Sequence, residues 1–458
     1  MAQPTMEEEY GQKFPLSRQL HQQALKVFRN GVTHSGRYFD PFPIYMERSL
    51  GSRKWDVEGH EFVDYTVGHG ALILGHAHPV VVKAMQEQAA KGTHYGACQE
   101  LEIHWGNLVQ EMVPSAERVE FTNSGTEATM MAMRLCRLYT GRNKILGFLE
   151  HFHGWHDYAV CTSMLSGSPE EVPGVPLETR STMVIVPPND LRAVERAVDR
   201  GDIAGIIVEA GGAHTGQIPH HKGFLQNLRD LATATRVPLI FDEVITGFRY
   251  APGGAQEYYG VTPDLTCLAK ILGGGLPCGA VAGRAEIMAL LQRRDDDPNW
   301  RYVPHPGTYN ANPMSAAAGI AALALLKSGE IHKEINALTE KLREGMNEVI
   351  EAQGVGGCVY GECSRFAIHL GADAPSLEEV YSDIDYHRLL GGMGPWGRWV
   401  VMGMALNGVH MMGASGMLSM AHDERDVDIT IEAFDKTLTS MKAEGLFSNP
   451  PGQARASR

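Results

Sequence analysis

The chain has 458 residues, 43% of them hydrophobic, and a formal net charge of −14. That length can bury a large core and house two or three domains, while the negative balance argues against nucleic acid and anionic membranes as partners. No apolar run of about 18 residues occurs, and the acidic start Glu7-Glu8-Glu9 lacks a basic-then-apolar leader, so the expectation is a soluble, cytoplasmic protein without a membrane partner. Seven scattered cysteines point to reduced thiols; Cys358 and Cys363 have no second pair to complete a zinc site, so no metal is expected.

In chain order, residues 16–29 read as an amphipathic helix, followed by a Gly/Pro-punctuated arm and short strands around the turn Asp56-Val-Glu-Gly59. Residues 117–123 read as a strand and 128–139 as a helix, with Ser124-Gly125-Thr126-Glu127 between them. Free N–H groups at a helix start, two hydroxyls and a glycine make a phosphate cradle; the same letters also fit a capping box, Ser124 and Glu127 standing three apart. Residues 144–149, 183–187, 205–208 and 238–244 are near-continuous apolar runs, the pattern of parallel strands covered on both faces.

The run at 238–244 places Asp242 at a strand's C-terminal end, where open α/β sheets bind ligands. A helix N-cap or a metal ligand is the plainer reading of that aspartate. Residues 262–270 form another apolar run, which closes on Lys270 before Gly273-Gly-Gly275. A partly buried lysine shifts toward the neutral amine that captures an aldehyde. By itself Lys270 reads as a surface lysine. With Asp242 and the cradle it satisfies the three needs of pyridoxal phosphate: an amine for the aldehyde, an anion for the ring nitrogen and a cradle for the phosphate. Reading the glycines as a dinucleotide loop fails, because no Gly-x-Gly-x-x-Gly opens a helix with an acid about 20 residues later. A non-enzymatic binding protein on this pattern would lack the lysine. Residues 330–351 read as a long helix, 365–370 as a strand and 426–445 as a final helix.

Gly75-His-Ala-His-Pro79, Phe121-Thr-Asn-Ser-Gly-Thr-Glu-Ala128, Phe152-His-Gly154, Phe241-Asp-Glu-Val-Ile-Thr-Gly-Phe-Arg249, the run from Pro263 through Lys270 to Gly275, and Gly307-Thr308 together resemble the class III aminotransferases of pyridoxal-phosphate fold type I. Within them the pattern is most similar to the glutamate-1-semialdehyde 2,1-aminomutases. The resemblance implies an α/β fold: a large domain (71–328) with a mostly parallel, seven-stranded-type sheet, and a small α+β domain built from an N-terminal arm (1–70) and a C-terminal segment (329–458). It implies pyridoxal 5′-phosphate as cofactor, with Lys270 forming the Schiff base and moving the proton and Asp242 pairing with the pyridinium. Ser124, Gly125 and Thr126 would hold the phosphate, Phe152 and Val244 would pack on the ring, and His153 and Glu209 would complete its surroundings. A threonine matching Thr308 reaches the phosphate from the neighbouring subunit in this family, which implies a homodimer with shared active sites.

For the substrate, Arg37 falls where the aminomutase pattern has a carboxylate-binding arginine, and His69 where it has a tryptophan. Asp40-Pro-Phe-Pro43 is similar to the β-amino-acid aminotransferases instead. Two departures count against an aminomutase. After Val208-Glu209, position 214 is a histidine, not an acid that could partner a switch arginine. The stretch 408–422 carries no acid and no arginine; Met411, Met412 and Met417 would form an apolar wall, although a Met-rich stretch is also ordinary core. The expected function is transfer of an amino group from an amine or amino acid, including β-amino-acid or apolar donors, to a keto acid or aldehyde. The alternative is intramolecular transfer of the aminomutase type.

Overall fold

The computed structural model describes residues 4–163, 172–212, 217–371, 374–382, 388–389 and 396–448; position 214 lies outside them. Strands β1 (Met46–Leu50), β2 (Arg53–Asp56) and β3 (Glu61–Asp64) form a meander in which Gly59, at φ +91°, turns the chain between β2 and β3. The next seven strands are β4 (Arg118–Thr122), β5 (Lys144–Phe148), β6 (Met183–Val186), β7 (Ile203–Glu209), β8 (Leu239–Asp242), β9 (Leu265–Ala269) and β10 (Gly279–Gly283). They make one sheet in the order β4-β10-β9-β8-β7-β5-β6. Only β10 runs against its neighbours β4 and β9; the other pairings are parallel. The expected fold class is therefore the observed one.

The central strands read as unbroken apolar runs because both faces are covered. Along β7 and β8 the side chains alternate: Ile206, Val208, Leu239 and Phe241 pack into one hydrophobic cluster with the helix Phe224–Thr235, whereas Ala204, Ile207 and Ile240 join Ala128, Met131 and Leu135 on the opposite face. Beyond the large sheet, β11 (Gly357–Tyr360) and β12 (Arg365–Leu370) pair with β14 (Ser415–Met417), while β13 (Val409–His410) runs parallel to β3. A single hydrophobic cluster joins Met6, Tyr10, Phe14 and Phe62 to Leu342, Val400, Phe434 and Met441. Among the described residues, no single helix is long and apolar enough to cross a membrane.

Two helix boundaries differ from expectation. The helix expected at 16–29 runs from Pro15 to Ala24, after a first helix Met6–Lys13, and does not reach residue 29. Asn30 and Gly31 take left-handed backbone conformations, at φ +53° and +67°, which a continuing α-helix excludes, and Val27 and Phe28 stand exposed. The helix expected at 128–139 begins three residues earlier, spanning Gly125–Thr140. Its polar first turn has no apolar period to reveal it, yet Ser124 caps it, with its Oγ accepting the Glu127 N–H at 3.2 Å.

Candidate active site

Adjacent strand ends of the large sheet bring the chemistry together. Glu209 ends β7, Asp242 ends β8 in register with it, and Lys270 directly follows β9; all three line one cavity of about 420 Å³. The helix Gly125–Thr140 points its N-terminus into the same cavity, so Ser124, Gly125 and Thr126 line it too, as do Phe152, His153 and Val244. A Cβ on Gly125 would stand 2.7 Å from Val244 Cγ2, so only glycine allows the helix start and Val244 to meet. Nine of the residues singled out in the sequence thus share one hollow.

Asp242 is 5% exposed and takes its bonds from the protein: Oδ1 accepts the Val244 N–H at 3.0 Å, and Oδ2 lies 2.8 Å from His153 Nδ1, which must carry the proton to bond a carboxylate. The other nitrogen, His153 Nε2, is buried with no partner among the described residues. Glu209 accepts the Phe152 N–H at 2.9 Å, tying the aromatic residue to the end of β7. Lys270 adopts φ +50°, a left-handed conformation that a non-glycine residue holds only when its surroundings impose it. Burial pushes its amine pKa below the ordinary lysine value, with Arg249 and Arg365 adding to the effect and Asp242 and Glu209 opposing it.

A second cavity, of about 630 Å³, is lined by Arg37, His69 and Met411 together with Lys54, Thr66 and Met412. Among the described residues, no aspartate or glutamate lines it. The bend that carries His69 passes beside Lys270: a Cβ built on Gly70, which lines neither cavity, would stand 3.9 Å from Lys270 Cδ. Arg37 is exposed, and its guanidinium donates only to Thr33 Oγ1, at 3.3 Å, among the described residues. Met417 is buried in the core between Gly70 and β12 and lines neither cavity. Thr308 also lines neither cavity; it is exposed, on the segment before the helix Pro313–Leu326.

Sequence reading missed the group that holds the second cavity's floor. Asp64 ends β3 fully buried, 2.7 Å from His76 Nε2, 2.9 Å from Lys54 Nζ and 3.5 Å from His410 Nδ1. Burial alone would raise its pKa; the bonds from His410 and His76 and the Lys54 charge outweigh it and hold the carboxyl well below its ordinary range. An acid closing an apolar strand was the signal available, the same one that marks Asp242. Arg249 was quoted only as the end of a motif. It is fully buried and joins three segments, donating to Gly70 O at 2.9 Å, Ser364 Oγ at 3.0 Å and Leu418 O at 3.1 Å.

Residues 35–375 match the model of the class-III aminotransferase family. The chain belongs to that family. It is 40% identical over 446 residues to a Methanopyrus kandleri protein named glutamate-1-semialdehyde 2,1-aminomutase, covering 94% of this chain and 98% of the relative. Among solved structures it superposes on an omega-transaminase from Sphaerobacter thermophilus with a TM-score of 0.85 at 34% identity, covering 93% and 98% of the two chains. A β-phenylalanine aminotransferase from Variovorax paradoxus superposes with a TM-score of 0.80 at 27% identity, over 96% and 97%. This class-III aminotransferase is a pyridoxal 5′-phosphate enzyme of fold type I.

Proposed function

We propose that this class-III aminotransferase moves an amino group between two molecules, from a carboxylate-bearing amine with an apolar side chain to a keto acid or aldehyde. The observation that carries this reading is the second cavity: among the described residues its charged groups, Arg37 and Lys54, are both cations, Met411 and Met412 supply apolar wall, and no carboxylate faces in. Arg37, with no carboxylate partner of its own, is suited to grip the substrate's carboxylate in a two-pronged bond. The division into arm (1–70), cofactor-holding body (71–328) and tail (329–458) belongs to the same reading.

The first cavity fits the cofactor on two counts. Asp242 and Lys270 set a carboxylate and an amine into it, the groups a ring nitrogen and an aldehyde call for, and glycine at 125 leaves the helix N-terminus open to a phosphate. When bound, pyridoxal 5′-phosphate supplies an aldehyde carbon and an electron-withdrawing ring. Ser124, Gly125 and Thr126 would hold its phosphate through N–H and hydroxyl donors. Val244 and Phe152 would press on its two faces, with Phe152 positioned by Glu209. Asp242 would set a negative charge at the ring nitrogen, oriented by His153 and the Val244 N–H. Lys270 would attach the cofactor through its amine and then carry the proton to and from the substrate carbon, a task its lowered pKa suits near neutral pH.

A second reading, intramolecular aminomutase chemistry, is favoured by one finding, the name of the 40% identical Methanopyrus kandleri relative. A molecule carrying two amines would place one ammonium in a cavity without an anion, at a cost of roughly 1–3 kcal/mol for an unpaired group. The two readings separate in a single-turnover assay of the loaded enzyme. Apolar amines and β-amino acids are expected to convert the cofactor to its amine form and release the keto product. Conversion of glutamate-1-semialdehyde to 5-aminolevulinate without external acceptor, together with no reaction of apolar donors, would promote the aminomutase instead.

Exposed Thr308 is proposed to reach the phosphate of a second copy. Mixing Lys270→Ala chains, which lack the amine, with Thr308→Ala chains, which bind the phosphate weakly, should form heterodimers with one site that keeps both residues. Tight cofactor binding at about half the wild-type stoichiometry is the expected outcome, measured by absorbance after dialysis. Heterodimers of proven composition that regain none would rule out the shared site.

A further inference from the structure

Four consecutive residues beside Lys270 have left-handed backbone: Val67 at φ +37°, Gly68 at +63°, His69 at +56° and Gly70 at +85°. Glycine enters this region freely, but a β-branched valine and a histidine stay there only when their surroundings force them. Those surroundings are visible. Both oxygens of the buried Asp64 carboxylate accept N–H groups ahead of the bend, from Thr66 and Val67, each at 3.0 Å. Behind it, Arg249 Nη2 donates to Gly70 O at 2.9 Å. A Cβ at Gly70 would strike Met417 Sδ at 2.8 Å and stand 3.9 Å from Lys270 Cδ, so the bend lies flush against the core residue Met417 and beside Lys270. What this clamped bend presents to the substrate cavity is the ring of His69.

The ring's orientation is fixed as well. His69 Nδ1 lies 3.2 Å from Met412 Sδ, and its face packs on His34 with ring centroids 5.1 Å apart. A thioether only accepts, so this contact favours the tautomer with the proton on Nδ1 and the lone pair on Nε2. Nε2 is not among the buried unpartnered atoms and bonds to no described residue, so it is open to the cavity. Burial, with the charges of Arg37, Lys270 and Lys54 around it, drives the His69 pKa down to about 4 and keeps the ring neutral. We propose that His69 Nε2 is the specificity-determining acceptor of the substrate cavity, selecting substrates whose apolar side chain ends in a hydroxyl over those ending in a methyl ether. Arg37 and Lys54, the charged groups among the described lining residues, can only donate, and two lining hydroxyls are already engaged, Tyr10 with Phe42 O at 2.9 Å and Thr66 with His410 Nδ1 at 3.0 Å.

This inference rests on the proposed carboxylate-and-apolar substrate, and the test separates the two. Calorimetric titration of the pyridoxal-phosphate-loaded enzyme would use unreactive carboxylates: 3-phenylpropanoate, the meta and para 3-(hydroxyphenyl)propanoates, and their methyl ethers. The better phenol should bind roughly tenfold more tightly than its ether, since a site that bonds a hydroxyl rejects the analogue lacking it. His69→Phe should reduce that ratio to about one while 3-phenylpropanoate binds as before. Met412→Leu, which removes the sulfur that favours this tautomer, should reduce it to roughly threefold, and decides the matter should the phenylalanine variant misfold. A phenol-to-ether ratio of one in the wild type, or one unchanged in both variants, overturns the role of His69. Failure of every carboxylate to bind would instead overturn the substrate class.

Discussion

Lys270→Ala is expected to abolish turnover, with a loss on the order of 10⁶-fold as seen when covalent catalysts lose their nucleophile. The fold should survive, because Lys270 opens a short turn after β9 and its side chain contributes little to any hydrophobic cluster. In the wild type, borohydride should fix the cofactor to the chain permanently, and mass spectrometry of the digest should find it on Lys270. In the variant no fixed cofactor should appear; attachment at another lysine would displace Lys270 from its role. The lowered pKa adds a pH signature. An amine attacks only when neutral, so the rate at which cofactor-free enzyme takes up pyridoxal phosphate should rise with pH and level off below the 10.5 of an ordinary lysine. A free lysine in solution would still be rising there.

Much of this site was legible because local pattern and chemistry coincide. Lys270 is the one lysine that closes an apolar strand before a glycine run, and Asp242 closes its neighbour, so reading strands was nearly reading the site. The helix N-terminus was legible from Ser124 and Gly125 even though the helix itself was placed three residues late. Partnerships at long range were not legible. His153 and Asp242 are 89 positions apart, and nothing local tells a histidine that bonds a carboxylate from one that caps a turn. The Asp64 group escaped for the same reason, since its partners come from β2, β13 and the segment after β3. Strand β13 is only two residues long, too short to show a period, yet its parallel pairing with β3 carries His410, Met411 and Met412 to the second cavity. The family resemblance supplied His69 as a position; only the four left-handed residues and the sulfur beside it supplied a reason for a histidine there.

Asp242→Asn tests whether charge or mere hydrogen bonding at the ring nitrogen drives catalysis. The amide is nearly isosteric and keeps an oxygen to accept the Val244 N–H, now bonded at 3.0 Å, so the loop after β8 should hold its shape. It removes the negative charge from a nearly sealed position, where an electrostatic interaction is worth far more than in water. His153 can keep its bond by changing tautomer, Nδ1 then accepting from the new amide NH2 while the amide oxygen keeps the Val244 N–H, so the geometry is retained and the charge alone is removed. Turnover should therefore fall by on the order of 10³-fold, the range found when a preorganised charge-stabilising group is removed, while cofactor affinity falls far less because phosphate and ring contacts remain. Single-turnover rates and equilibrium dialysis measure the two quantities on the same samples. A variant with near-native turnover would mean that the anion serving the ring lies elsewhere, and Glu209, in register on the next strand and lining the same cavity, would become the residue to replace.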